Sequence, residues 1–168
     1  MNNQGKPIKT LRFWNMILVI FGGLGGVIGI MGLPALLDST KQLQQVNESI
    51  SKVSDPALIK TMEQSLALMI TPLYRGYSLL ILVLSLVILT AFVQNLNKLR
   101  QGLPLVMWPY YLHLSKIVLA VIVSLLVGGV SLNGSLFLST IILNCCWAIP
   151  AVLIILKVNQ MKNQQPPS

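Results

Sequence analysis

Four long apolar stretches, at residues 14–37, 77–96, 109–130 and 135–156, constrain the fold of this chain more than any other feature of its sequence. Each is close to the roughly 20 residues that an α-helix needs to cross about 30 Å of hydrocarbon. None shows the alternation of polar and apolar residues expected for the strands of a membrane barrel. The sequence therefore predicts an all-α integral membrane protein with four transmembrane helices.

The composition excludes an ordinary soluble domain. Of the 168 residues, 54% are hydrophobic and only 10% are charged, with a mean hydropathy of +0.75. Soluble domains carry about 25% charged residues, so this chain could not cover a water-facing surface with charge. A cleaved signal peptide is the alternative for the first stretch, because basic residues precede it. Its apolar run is longer than the roughly 7–15 residues of such peptides and no Ala-x-Ala site follows, so we expect a retained helix.

The charged residues predict how the chain crosses the membrane. All four acidic residues lie between the first two stretches, in segment 38–76, together with four basic ones that neutralise them. The N-terminus (1–13), the loop at 97–108 and the tail at 157–168 carry only basic charge: Lys6, Lys9, Arg12, Lys98, Arg100, Lys157 and Lys162. The positive-inside rule then places both termini in the cytoplasm and segments 38–76 and 131–134 outside. Anionic lipid explains the net charge of +8, so we expect the lipid bilayer as partner and no nucleic acid. The setting that we expect is a bacterial cell membrane.

Segment 38–76 is patterned like two amphipathic helices. Its apolar residues recur at spacings of three and four, which places each set along one side of a helix. Asp55 suits an N-cap and Pro56 a first helical position, while Pro34 and Pro72 could kink or break the helices where they meet the membrane. We predict an extracytoplasmic helical hairpin with arms of about 15–18 residues. Its apolar side, the hairpin stripe, consists of Leu43, Val46, Ile50, Val53, Ile59, Met62, Leu66 and Met69.

Six glycines fall within residues 21–32 of the first stretch. No strand precedes them and no Lys-Ser/Thr pair follows, so they do not form a phosphate-binding loop. Gly22, Gly25, Gly29 and Gly32 recur at spacings of three, four and three, and Gly26 completes a GxxxG pair with Gly22. Small residues let two helices approach closely in lipid. The pattern predicts a helix-packing face, against another helix of this chain or against a second subunit.

Lys116 is the ionisable residue placed deepest in a predicted span. One interpretation is that it returns its charge to the headgroups, as lysines near helix ends do. The other is that it faces the bundle and marks a functional site. For the second case we predict a polar cluster of Lys116, Asn144 and the carbonyl of Cys146, which Pro150 deprives of its helical donor.

The neighbours of Lys116 suggest an interface with the headgroups. Trp108, Tyr110 and Tyr111 are typical of an aromatic belt, and we expect His113 to be an interfacial histidine. The adjacent Cys145 and Cys146 point about 100° apart on a helix, which disfavours a disulfide between them and leaves them as small packing residues.

The motifs that are absent from the sequence reduce the number of function classes to consider. The sequence has no paired carboxylates within the spans, no HExxH motif, no nucleotide motif and a single histidine. We therefore expect no enzyme, no metal and no cofactor. The leading prediction is an accessory, scaffold or regulatory subunit of a membrane complex, or of a homo-oligomer, that packs through its glycines. The alternatives are a small channel or transporter component with a path near Lys116 and Asn144, and an extracytoplasmic sensor or immunity-type protein.

Overall fold

The computed structural model describes residues 5–128 and 134–163, and within these helices it leaves some side chains undescribed. Six α-helices account for nearly all of the described chain. They are α1 (Gly5–Leu37), α2 (Ser39–Ile50), α3 (Pro56–Met69), α4 (Pro72–Arg100), α5 (Trp108–Gly128) and α6 (Gly134–Asn163). The described residues contain no strand. The predicted turn at 131–134 lies outside them, apart from Gly134.

Four of the six helices are long and apolar enough to cross a membrane. The qualifying segments are Ile8–Pro34 in α1, Pro72–Arg100 in α4, Trp108–Leu125 in α5 and Ile141–Asn163 in α6. The all-α class predicted from the sequence is therefore confirmed, as is the presence of four helices long and apolar enough to span a membrane. The helices extend beyond the predicted apolar stretches, and α1 begins nine residues before residue 14.

The four long helices pack in a ring in which α1 contacts α4 and α6, while α5 contacts α6 and α4. The buried core lies where α1 and α5 begin and α4 and α6 end, which we call the terminal end of the bundle. Its buried apolar members are Leu11, Leu18, Ile88, Phe92, Leu99, Tyr110, Ala151 and Ile154. Within the described part of the chain, the buried core is therefore concentrated at the terminal end.

The first membrane helix does not break at Pro34. The proline lies inside α1, and the helix continues to Leu37. The break comes at Asp38, whose side chain accepts a hydrogen bond from the backbone N–H of Thr40 at 3.0 Å and so caps α2. A proline late in a helix removes only one backbone bond, whereas a capped aspartate starts a new helix with its own direction.

The predicted arms of segment 38–76 are shorter than expected, because α2 has 12 residues and α3 has 14. The hydroxyl of Ser51 donates to the carbonyl of Glu48 at 2.8 Å and ends α2, which leaves Val53 in the connection to α3 instead of on a helix. Asp55 caps α3 as predicted, accepting from the N–H of Ala57 at 2.9 Å.

The hairpin stripe is only partly covered by the rest of the chain. Leu66 is buried, and the stripe members that are half-buried are Leu43, Ile50, Val53, Ile59 and Met62. The side chains of Val46 and Met69 lie outside the described residues.

The connection between α4 and α5 begins with a glycine-dependent helix end. Gly102 has φ +70°, a conformation that costs glycine little because it has no Cβ. The N–H of Leu103 reaches back to the carbonyl of Lys98 at 2.9 Å, the bond that closes many helices at their C-terminus. Residues 103–107 then pass beneath the bundle to α5, and this path brings Val106 to Asn95.

Candidate intramembrane polar site

Three polar side chains form a hydrogen-bonded network inside the terminal end of the bundle. Asn15 of α1, Asn95 of α4 and Tyr110 of α5 have exposed fractions of 0%, 1% and 0%. The Tyr110 hydroxyl donates to Asn15 Oδ1 at 2.6 Å and accepts from Asn95 Nδ2 at 3.2 Å. The network therefore ties three of the four membrane helices to one another through side chains alone.

The same network also bonds to backbone groups of α4 and of the α4–α5 connection. Asn15 Nδ2 donates to the carbonyl of Phe92 at 2.8 Å. Asn95 Nδ2 donates to the carbonyl of Val106 at 2.7 Å, and its Oδ1 accepts from the N–H of Val106 at 3.1 Å. Buried backbone groups are costly when unpaired, so Asn95 fixes the α4–α5 connection under the bundle.

A second polar layer lies deeper, beyond the ring of Phe92. That ring stacks on Tyr110 with centroids 5.3 Å apart and meets the edge of His113 at 5.6 Å. His113 is 5% exposed, and its Nε2–H donates to the carbonyl of Trp147 on α6 at 3.2 Å. The histidine predicted at the interface is thus buried, because α6 supplies an acceptor inside the bundle.

The side chain of Lys116 faces the interior of the bundle, and its ammonium does not extend toward the lipid headgroups. Its Nζ donates to the hydroxyl of Ser85 at 3.0 Å. Ser85 lies near the middle of the 29-residue α4, roughly 20 Å from either end. The Ser85 hydroxyl in turn donates to the carbonyl of Ile81 at 2.6 Å, so its proton is not available for a second hydrogen bond. Of the two interpretations of Lys116, the structure supports the bundle-facing one.

A cavity of about 100 Å³ lies beside the Lys116 side chain, between the four long helices. Its polar lining comes from Lys116, Ser85 and His113. The rest is apolar or aromatic, contributed by Leu18, Phe21, Gly22, Gly25, Ile88, Leu89, Phe92 and Trp147. A cation beside a mostly apolar cavity is the arrangement that distinguishes this site from ordinary helix packing.

The hydrogen bonds that the structure describes do not join Lys116, Asn144 and the Cys146 carbonyl, so the predicted cluster of these three groups remains a prediction. The observed partner of the Lys116 ammonium is Ser85, and the α6 carbonyl bonded to α5 is that of Trp147, one residue beyond Cys146. Asn144 is half-buried and Pro150 is buried. Cys145 and Cys146 are both free thiols on the exposed surface of α6, so they do not pack in the core as expected.

The structure divides the predicted glycine face into two rows. A Cβ on Gly22 would meet Leu89 at 3.2 Å, one on Gly26 would meet Leu86 at 3.4 Å, and one on Gly29 would meet Leu82 at 2.6 Å. These three glycines form the inner row, which packs on α4. Gly25 and Gly32 form the outer row, where a Cβ would meet no described atom within 4 Å.

The sequence analysis missed the residues of the buried network. Tyr110 was assigned to an aromatic belt, yet only Trp108 and Tyr111 are exposed there. Asn15 and Asn95 lie at the ends of apolar stretches, where a polar residue is as compatible with the interface as with the core. The usable signal was that asparagines in membrane helices commonly hydrogen-bond across helices.

Together, the fold and the buried polar layers define an all-α, multi-pass membrane protein with an interior cation. No family model, curated protein or solved structure matches this chain. Within residues 5–128 and 134–163, no cluster of three or more histidine, cysteine, aspartate or glutamate residues could hold a metal ion.

Proposed function

We propose that this chain is a non-enzymatic subunit of a membrane complex, with an accessory, scaffold or regulatory role. The observation that carries the proposal is the outer glycine row. Gly25 and Gly32 lie on one side of α1, and a Cβ on either would meet no described atom within 4 Å, whereas the adjacent inner row is packed on α4. Gly25 also borders the cavity beside Lys116. Glycine in a helix costs about 1 kcal/mol relative to alanine, a cost that close packing can offset. A second membrane helix against the outer row would supply that packing.

The exposure of α1 supports the same proposal. In the most apolar segment of α1, only 11% of the residues are buried within the chain, whereas the share is 22% in each of the other three long helices. Its exposed side chains include Leu24 at 55%, Ile28 at 69% and Met31 at 76%. In this proposal, α1 is the helix that binds the partner and the other three complete a rigid support.

The proposed topology follows from the distribution of charge. The basic residues at the terminal end face the cytoplasm, and α2 and α3 form a helical hairpin on the outer side. A bacterial cell membrane remains the setting that we propose. A transport function has less support, because the buried polar residues of the described bundle are interrupted by the ring of Phe92.

Photo-crosslinking from α1 in intact membranes tests the subunit proposal. A photoreactive phenylalanine analogue at Ile28 lies about 60° round the helix from Gly25, whereas one at Ile30 lies about 140° away. Both positions are exposed, at 69% and 51%, so they are matched in access. We expect one adduct of defined mass from Ile28, several-fold stronger than any from Ile30.

The outer row itself provides the control for that experiment. Gly25→Leu and Gly32→Leu together should abolish the Ile28 adduct, because leucine side chains would hold the partner helix away. Gly23→Leu should leave it unchanged, since Gly23 also lacks neighbours but lies on a different side of α1. An adduct of equal strength from both positions, or one that survives the outer-row substitutions, would contradict the proposal.

A further inference from the structure

The ammonium of Lys116 has no counter-ion among the residues that the structure describes. All four acidic residues lie between residues 38 and 63, outside the membrane-spanning helices. The one described hydrogen bond of the ammonium, to Ser85, uses one of its three protons. A cation held inside a membrane protein without an anion is costly, because burial removes its hydration and nothing replaces the lost interaction. The site is therefore suited to an anionic group.

The cavity beside Lys116 sets the size of that group. At about 100 Å³ it has room for about three water molecules of roughly 30 Å³ each, which suits a carboxylate head. The hydroxyl proton of Ser85 goes to Ile81 and Nε2–H of His113 goes to Trp147, so Lys116 is left as the main donor into the cavity. One carboxylate on one ammonium is the pairing that this geometry provides.

A groove on the lipid-facing side of the bundle lies next to the cavity. Toward the terminal end the way is closed by Phe92 and Tyr110, which are 1% and 0% exposed. On the other side, a groove of about 220 Å³ runs between α1 and α6 and is lined by Leu18, Phe21, Leu143, Cys146, Trp147 and Pro150. Three of these residues, Leu18, Phe21 and Trp147, also line the cavity.

Two aromatic rings separate the groove from the cavity. Phe21 and Trp147 have ring centroids 5.2 Å apart, and Phe21 is 47% exposed on the lipid-facing surface. Gly25, which lines the cavity one turn further along α1, is exposed as well. A ligand that enters here must therefore be soluble in the membrane.

We propose that the groove and the cavity together bind a single-chain amphiphile with a carboxylate head. Its carboxylate accepts hydrogen bonds from the Lys116 ammonium, the first part of its hydrocarbon chain lies in the α1–α6 groove, and the rest extends into lipid. A partner helix is about 10 Å across, which the groove does not accommodate, and an acidic side chain on it would have to reach past the Phe21–Trp147 pair. The site needs no second subunit, but it shares Gly25 with the outer row, so the binding is tested on the chain alone.

Fluorescence of Trp147 in the purified chain, reconstituted in lipid nanodiscs, tests this binding. Trp14→Phe and Trp108→Phe leave Trp147 as the only tryptophan of the chain. The probes are a stearic acid brominated near the middle of its chain and the methyl ester of the same acid, because bromine quenches a nearby indole. We expect saturable quenching by the acid and at least roughly tenfold weaker apparent binding of the ester, which has no charge to pair with Lys116.

Variants of Lys116 assign the effect to the ammonium. Lys116→Met should reduce quenching by the acid to the level of the ester, and Lys116→Arg should retain most of it. Lys157→Met is the matched control at a lysine outside the cavity and should change nothing. The comparison of acid with ester on the chain that retains Lys116 stands even if Lys116→Met does not fold.

Two outcomes would overturn the proposal. One is equal quenching by acid and ester, which would mean that the groove binds hydrocarbon without regard to charge. The other is that the brominated acid has no effect, while a transmembrane peptide with one central glutamate shifts the emission of Trp147 and does so only when Lys116 is present. That second result would assign the site to a partner helix.

Discussion

Asn95→Leu is expected to lower the free energy of unfolding by about 2–4 kcal/mol, because it leaves the N–H and the carbonyl of the half-buried Val106 without their partners. Each orphaned backbone group costs about 1–3 kcal/mol. Leucine and asparagine have similar shapes, so loss of packing contributes little. The measurement is unfolding of the detergent-solubilised chain by sodium dodecyl sulfate, followed by far-UV circular dichroism.

Asn97 provides the control for this substitution. It lies two residues further along α4 with an exposed side chain, so Asn97→Leu should change the unfolding free energy by less than about 0.5 kcal/mol. Tyr110→Phe should fall between the two variants, since it removes the hydroxyl from the network but leaves Asn95 bonded to Val106. Equal stability of the Asn95 and Asn97 variants would show that the network does not hold the terminal end together.

Gly29→Leu is expected to destabilise the α1–α4 pair by about 1–3 kcal/mol or more, the range typical of overpacked cores. Its Cβ alone would lie 2.6 Å from Cδ1 of Leu82, closer than carbon atoms approach without a shift. The rest of the leucine side chain would then force α1 away from α4. The same sodium dodecyl sulfate unfolding experiment measures the loss.

Two further variants test whether the effect comes from this contact. Gly23→Leu should be neutral or slightly stabilising, because Gly23 has no neighbour within 4 Å and leucine favours the helix by almost 1 kcal/mol. Leu82→Ala, destabilising alone, should recover part of the loss when combined with Gly29→Leu, since it makes room for the new side chain. Strictly additive effects of the pair would contradict the contact.

Hydropathy and local signals predicted the class of the fold well. Four runs of about 20 apolar residues leave few options in a bilayer, since only helices satisfy their backbone groups locally. Asp55 was predicted as a cap because its side chain acts within its own helix, and it does bond to Ala57. The end of α2 was not predicted, because the turn at Ser51 overrides a hydrophobic spacing that continues to Val53.

The candidate site depended on contacts between helices, which the sequence does not encode locally. Lys116 could be identified as unusual, but Ser85 is 31 residues away, and nothing in its neighbourhood marks it as the partner. The glycines were assigned to one face because 3.6 residues per turn place them within a broad arc. Only the position of α4 separates Gly29, which packs on Leu82, from Gly25, which meets nothing described.

The buried network and the glycine rows have different consequences for the molecule. Asn15, Asn95 and Tyr110 fix the terminal end with specific hydrogen bonds, which leave little freedom between α1, α4 and α5. At the outer row of Gly25 and Gly32, a Cβ would meet no described atom within 4 Å. Under the proposed function, a partner would bind at the outer row while the network holds the terminal ends of α1, α4 and α5 together.

Native mass spectrometry of the protein, extracted from its own membrane with a mild detergent, tests the subunit proposal most directly. One chain has a mass of 18.4 kDa. We predict a larger particle of defined mass that contains this chain with a second membrane protein or a second copy, and its reduction to a single chain by Gly25→Leu with Gly32→Leu. A wild-type protein that emerges only as a single 18.4 kDa chain would contradict the account.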